Sequence, residues 1–175
     1  MGESSIALGY YTAEEYQGQD AVAISSEAGR YSQGAYSIAI GRQSAFFSQG
    51  TQGIAIGFQA GYSNQGSGAI SIGSNTAKYS QGNNSIAIGS QAGGNSTNNI
   101  GENSVCIGNN CCISAGVIQS IVLNATGNSL PLSGTGQNNA CFIAPIREVY
   151  SLTGLTQLYW VLATGEVVHY NPTPP

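Results

Sequence analysis

A three-residue apolar beat runs through most of the chain. Ile6-Ala7-Leu8, Val22-Ala23-Ile24, Ile38-Ala39-Ile40, Ile54-Ala55-Ile56, Ile70-Ser71-Ile72 and Ile86-Ala87-Ile88 follow one another at 16-residue steps. A 19-residue step leads to Val105-Cys106-Ile107, and a further 16 residues to Ile121-Val122-Leu123. Glycine follows most triplets, at Gly9, Gly41, Gly57, Gly73, Gly89 and Gly108, with Ser25 and Asn124 as the exceptions. A second marker keeps the same period: Gln17-Gly18, Gln33-Gly34, Gln49-Gly50, Gln65-Gly66 and Gln81-Gly82.

A fixed period with one short apolar strand per unit, and no sustained helical spacing, predicts a β-solenoid. Sixteen residues hold two short strands and two turns. The expected fold class is therefore all-β: a parallel β-roll of about eight 16-residue coils over residues 1–126, stacked into a rod about 40 Å long. The first strand of each coil is the Ile-Ala-Ile triplet. The second is expected among small residues and an aromatic, as at Ala28-Gly29 with Tyr31, Ala45 with Phe47 and Ala77 with Tyr79.

Strand alternation puts the two aliphatics of a triplet on one side and the middle residue on the other. The expectation is that the aliphatic pair points inward as the core. The middle residue then points outward, and it is small throughout: Ala7, Ala23, Ala39, Ala55, Ser71, Ala87 and Cys106. An exposed strand face normally carries charge that discourages sticking. A small-residue stripe suits close approach of flat sheets, so these seven positions are the predicted oligomer interface. The alternative is coils that are simply Ala-rich. The corner glutamines are expected to form a ladder of amide hydrogen bonds along the rod axis.

The units Ser-Ile-Ala-Ile-Gly (37–41 and 85–89) and Asn-Ser-Val-Cys-Ile-Gly (103–108) resemble the head repeats of YadA-like trimeric autotransporter adhesins. The longer unit Ile-Ala-Ile-Gly-Phe-Gln-Ala-Gly-Tyr-Ser-Asn-Gln-Gly (54–66) is more similar still to repeats in tail-fibre and virion surface proteins of phages and large DNA viruses. The resemblance implies a left-handed roll associated as a homotrimer. It covers residues 4–123. The 16-residue period is longer than the usual bacterial unit, and no coiled-coil stalk or membrane anchor lies in the chain; both departures favour the viral relatives, or a fragment of a longer protein.

Beyond Asn124 the beat stops. Residues 127–140, rich in Gly, Ser and Asn, read as a linker. Residues 141–175 are expected to form a C-terminal β-hairpin module that caps the rod, with strands around Leu158-Tyr159-Trp160-Val161 and Glu166-Val167-Val168-His169-Tyr170, a turn at Ala163-Thr164-Gly165, and Trp160 as an apolar plug. Phe-Ile-Ala-Pro-Ile-Arg (142–147), Leu-Tyr-Trp and Thr-Gly-Glu-Val together resemble a module near the C-terminus of virus fibre proteins.

Composition narrows the function. Charged residues make up 7% of the chain, against about 25% in ordinary soluble domains. Their place is taken by 25 Gly, 22 Ser, 15 Asn and 13 Gln. Four Lys/Arg at net charge −4 make no basic patch, which argues against nucleic acid. The single histidine, His169, and the scarcity of carboxylates argue against an enzyme. No run of 18 apolar residues spans a membrane, and the N-terminus carries no secretory signal pattern. Identical stacked coils would also set any charge about 5 Å from its copy, a reason of its own for amides and hydroxyls.

Cys106, Cys111, Cys112 and Cys141 do not fit a zinc spacing, and no histidine lies near them. The first three read as buried small residues replacing Ala; a disulfide to Cys141 is the other option. No catalytic, cofactor-binding or metal-binding residue is assigned. Eight aromatics between Tyr16 and Tyr79 are too many for so thin an interior, so some must be exposed. Tyr31, Phe47, Tyr62 and Tyr79 are the candidate ligand-binding aromatics, because exposed rings amid Ser, Asn and Gln suit recognition, sugars included; packing along the rod edge is the plain alternative.

The expected function is a structural fibre or spike component of a virion surface. Expected partners are other copies of the chain, other virion proteins, and a host glycan or protein. The alternatives are the head of a bacterial surface adhesin and a capsid-associated structural protein that binds no receptor.

Overall fold

A computed structural model describes residues 1–94, 100–111, 118–126 and 138–144, and the strands Gln157–Val161 and Glu166–Tyr170. The triplets are strands, and they stack in parallel at the predicted period. Ile6–Leu8, Val22–Ile24, Ile38–Ile40, Ile54–Ile56, Ile70–Ile72, Ile86–Ile88, Val105–Ile107 and Ile121–Asn124 pair in chain order into one long sheet. Like stands on like: Ile38 pairs with Ile54, Ala39 with Ala55 and Ile40 with Ile56. The protein is thus an all-β solenoid of about seven turns, where about eight coils were expected.

The return strand lies later in each coil than expected. It comprises Tyr16–Gln17, Ser32–Gln33 and Ser48–Gln49, continued by single bridges from Gln49 to Gln65, Gln65 to Gln81 and Gln81 to Ile100. The segments holding Tyr31, Phe47 and Tyr79 precede it.

The glycine after each triplet is required by the turn. Gly57 has φ +124°, and a Cβ there would stand 2.5 Å from the Gly73 carbonyl oxygen of the next coil. A side chain there requires the adjoining coil to shift. Ser25 takes this place in one coil and holds φ at 101°, a region costly for a non-glycine residue.

The sense of the strands is the reverse of the expectation. Ala23, Ala39, Ala55, Ser71, Ala87 and Cys106 are fully buried inside the coil, and Ala7 packs on the same inner cluster at its open end. They therefore do not lie on an outer face, and the small-residue interface does not stand. The reason is thickness. Five residues after each middle position the returning layer also presents a small inward side chain: Ala28, Ser44, Ala60, Thr76 and Ala92, all buried. The two layers meet methyl to methyl, and an inward pair of isoleucines would overfill the gap.

One larger side chain per coil fits inside: the corner glutamine, and beyond Gln81 the fully buried Ile100 in the same row. Gln49 Nε2 donates to the carbonyls of Ile38 at 2.9 Å and Gly53 at 3.0 Å. Gln65 does the same to Ile54 and Ala69, and Gln81 to Ile70 and Ser85. Each amide thus clamps its own coil rather than bonding the next glutamine, so the predicted axial ladder is not formed by this row. A ladder exists on the outside instead: Gln59 Nε2 donates to Gln43 Oε1, and Gln43 Nε2 to Glu27 Oε2, both at 2.8 Å.

The clamp leaves the carbonyls of Gln17, Gln33, Gln49 and Gln65 buried without a partner. In the coil where Ser71 replaces Ala, its hydroxyl donates to Gln81 Oε1 at 2.5 Å, ten residues on. Ala39→Ser is expected to supply the same donor to Gln49. A satisfied buried acceptor is worth about 1 kcal/mol, a rise of about 2–4 °C in melting temperature for a chain of this size. Ser71→Ala should lower it; thermal melts in which the two changes fail to move in opposite directions would refute the pairing.

Cys106 and Cys111 occupy a pair of these opposed positions, five residues apart. They are joined as a disulfide across one coil, with Cα atoms 5.8 Å apart. The spacing is ordinary for such a bond, and the same opposition of layers that excludes isoleucine brings the two sulfurs together. Cys112 lies outside the described residues.

Cys141–Ala144 pairs in parallel with Ile121–Asn124, so this segment belongs to the long sheet and not to the hairpin module. The chain divides into units 1–145 and 146–175, moving the predicted boundary at 141. In the second unit Gln157–Val161 and Glu166–Tyr170 form the predicted antiparallel hairpin, Trp160 opposite Val167. The linker over 127–140 falls mostly outside the described residues, as does the turn at 163–165.

Candidate interaction surfaces

Turning the triplets over creates the most conspicuous surface of the rod. The flanking aliphatics now point outward. Ile6 and Leu8 are exposed, the pairs from Val22/Ile24 to Ile86/Ile88 are half-buried by stacking on one another, and Ile107, Ile121 and Leu123 are exposed again. Cys141 and Ile143 extend both files by one step, and the Cys141 thiol is free and exposed. This double file spans eight triplet strands, about 35 Å by 10 Å, or on the order of 400 Å² of continuous apolar surface; scattered surface aliphatics need no explanation, but a patch of this size does.

The aromatics line the other layer. Inward residues of the two layers meet in the interior, so outward residues of the return segment face away from the aliphatic files. Positions 14, 30, 46, 62 and 78 stack as one column, with Glu14, Arg30, Phe46, Tyr62 and Lys78 in order. Positions 15, 31, 47, 63 and 79 form the next, with Glu15, Tyr31, Phe47, Ser63 and Tyr79. Backbone hydrogen bonds from Tyr31 to Phe46, Phe47 to Tyr62 and Ser63 to Lys78 hold the columns in step.

Three of the four candidate aromatics come together. Tyr31 stacks on Phe47 with centroids 5.4 Å apart and planes 8° apart. Phe47 meets Tyr62 edge to face at 5.3 Å. Phe46, absent from the candidates, stacks on Tyr62 at 5.0 Å and is itself buried. Its column position, shared with Tyr62, was the sequence signal that could have included it. Tyr79 stands apart, making no ring contact among the described residues, and Ser63 occupies the coil between it and Phe47.

Cations close the cluster at both ends. The Arg30 guanidinium lies over Tyr31 and Phe46 at 5.2 and 5.6 Å, and the Lys78 ammonium over Tyr62 and Tyr79 at 5.7 and 5.5 Å. The two differ in their counter-ions. Arg30 Nε bonds Glu14 Oε2 at 2.6 Å and its guanidinium lies 3.9 Å from Glu27. Lys78 makes no ion pair among the described residues.

Burial raises the Tyr62 phenol above its ordinary value, and the Glu27 charge adds to the shift. An unfolded chain would release that proton first, so the stability is present below the ordinary phenol value near 10 and is lost as the pH climbs through the folded one. Tyr62→Phe should therefore lose stability less steeply than the parent in denaturant titrations above about pH 10. Parallel slopes would place the phenol in water.

No family model, curated protein or solved structure matches this chain.

Proposed function

We propose that the chain is a structural segment of a homotrimeric fibre or spike on a virion surface, in which copies pack through their aliphatic files and turn their aromatic columns outward to meet a host glycan. The double file from Ile6/Leu8 to Ile121/Leu123 carries this reading. A flat apolar strip on a rigid rod is matched in shape, length and chemistry by another copy of itself. Two such faces come to about 800 Å² and three to about 1,200 Å², the latter divided among three pairwise contacts and modest beside the area of a typical two-partner interface. Closed cyclic symmetry then ends the assembly without leaving a free strip.

The resemblance of the 16-residue units to fibre repeats supports the number three and the virion setting. The role proposed is mechanical display. The discriminating measurement is the mass in solution. Sedimentation equilibrium should return three times the 17.9 kDa chain mass at micromolar concentration. A monomer would sink the assembly. Antibody labelling of intact particles against cell surfaces separates the virion from the bacterial adhesin head.

A further inference from the structure

Most coils of the roll are tied across their interior by an amide, and the tie changes chemistry toward the C-terminal end. Gln17, Gln33, Gln49, Gln65 and Gln81 each donate from Nε2 to the carbonyl of the first residue of their own triplet, at 2.7–2.9 Å. The next residue of that row, bridged to Gln81, is Ile100, which has no side-chain donor. No glutamine stands between Gln91 and Gln119. The interior beyond Gln81 is one apolar cluster running from Ala87 and Ile100 to Val122. Within it, the Cys106–Cys111 disulfide joins the triplet layer to the returning layer. A covalent bond thus stands where the amide tie is missing.

The end of the roll depends on this coil. Ile121–Asn124 pairs with Val105–Ile107 on one side and with Cys141–Ala144 on the other. Both of these last strands therefore reach the long sheet through the coil that carries the disulfide. Breaking the bond changes packing as well as connection. Bonded sulfurs lie about 2 Å apart, whereas unbonded heavy atoms need about 3.5–4 Å. Both cysteines are fully buried between opposed layers, so two thiols must spread the layers or turn aside. Cys111 Sγ has the Val122 carbonyl at 3.5 Å to turn toward, a weak hydrogen bond in place of a covalent one.

We propose that Cys106 and Cys111 form a redox latch. Closed, it fixes the coil that begins at Val105 and the two strands beyond it. Open, it releases that end while the glutamine-tied coils stay shut. Closure is thiol–disulfide exchange: one cysteine thiolate attacks a small disulfide such as oxidised glutathione and displaces one thiol, and the second cysteine attacks the mixed disulfide and displaces the other. Two electrons pass from the cysteine pair to the donor, and the two cysteine protons end on the two released thiols. A dithiol reverses both steps and is itself left as a disulfide. Full burial keeps either reagent from the sulfurs once the coil has closed, so the latch is set as the coil forms, by the redox state of the compartment in which the chain folds. The latch goes beyond the assembly reading and does not rest on it.

The test is hydrogen exchange by mass spectrometry on the whole chain, refolded from denaturant in oxidised glutathione or in excess dithiothreitol. Alkylation and intact mass count the free thiols in each sample. Reduction should speed exchange about tenfold in peptides spanning 100–111 and 118–124, where the Val105, Gly108 and Ile121 amides donate to the Ser120, Ile88 and Ala140 carbonyls. Peptides spanning 38–56, where Ile38 and Ile54 donate to Gly53 and Ala69, should not change. Cys106→Ala combined with Cys111→Ala restores the pair found at Ala55 and Ala60 and should exchange alike under both conditions. Cys106→Ser alone carries the same expectation should the double variant misfold. Equal exchange in the two parent samples, a redox response that survives in the cysteine variants, acceleration along the whole roll, or an oxidised sample that keeps all its thiols would overturn the latch. Sedimentation of the same samples reports the assembly separately: a trimer without the redox response refutes the latch alone, and a monomer with it refutes the assembly alone.

Discussion

Ala55→Lys is expected to unfold the solenoid rather than divide an assembly. Ala55 is fully buried, stacked between Ala39 and Ser71 in the inner row and opposed by Ala60 from the returning layer. A lysine there has no room for its stem and no anion for its head. Overpacking alone costs about 1–3 kcal/mol, and an unpaired buried ammonium several more. Together they rival the total stability of an ordinary domain. Circular dichroism should show the β signal lost, or its melt moved down by tens of degrees. Ala55→Ser is the control: it changes the same site but adds only a hydroxyl, which can donate to Gln65 Oε1 and should be neutral or stabilising. A folded Ala55→Lys protein would mean that the triplets face the other way.

Ile56→Asp combined with Ile40→Asp should have the opposite outcome: intact coils and loss of the proposed trimer. Both side chains are outward and stack on each other across adjacent strands. In a free rod the two carboxylates face water, with some repulsion between neighbours. At a packed interface they forfeit about 2–3 kcal/mol of apolar burial each and leave charges desolvated, for which truncation studies find losses of about 2–5 kcal/mol. The mass should fall to that of one chain while the far-ultraviolet spectrum is kept. A persistent trimer would show that the copies meet elsewhere; loss of β-structure would place these isoleucines in the core.

These two substitutions exchange the outcomes expected from the pattern alone, and the exchange measures what the pattern carried. The 16-residue period, the Ile-x-Ile strands, the parallel in-register stacking and the turn glycines were all legible, because each is a local or nearest-neighbour property repeated along the chain. The hairpin was legible for the same reason. Alternation also told which residues share a side. It could not tell which side is inside, since Ile6-Ala7-Leu8 satisfies both senses. Hydrophobicity favoured the isoleucines, and that rule failed because the interior is only a methyl pair thick. A signal was present in the spacing: small residues five apart, Ala23 with Ala28, Ala55 with Ala60 and Cys106 with Cys111, mark two layers that touch.

The candidate site divides in the same way. Exposure of the aromatics followed from their number, and their columns follow from the period. The contacts of Phe46 with Tyr62 and the pairing of Arg30 but not Lys78 are relations between coils and between neighbouring columns. The corner glutamines were placed correctly and given the wrong partner: their amides reach backbone carbonyls within the coil, and the outer row at Glu27, Gln43 and Gln59 takes the ladder instead.

By itself, then, the sequence determined a repeating β-coil, its length, its turns and the scarcity of charge that lets identical coils stack. Only the tertiary structure decided which face of each strand is core, where the disulfide closes, and which rings stand free. A period records how each coil relates to the next along the axis, whereas inside and outside depend on what lies across the coil, and that distance is set by the packing of side chains the repeat does not order by itself.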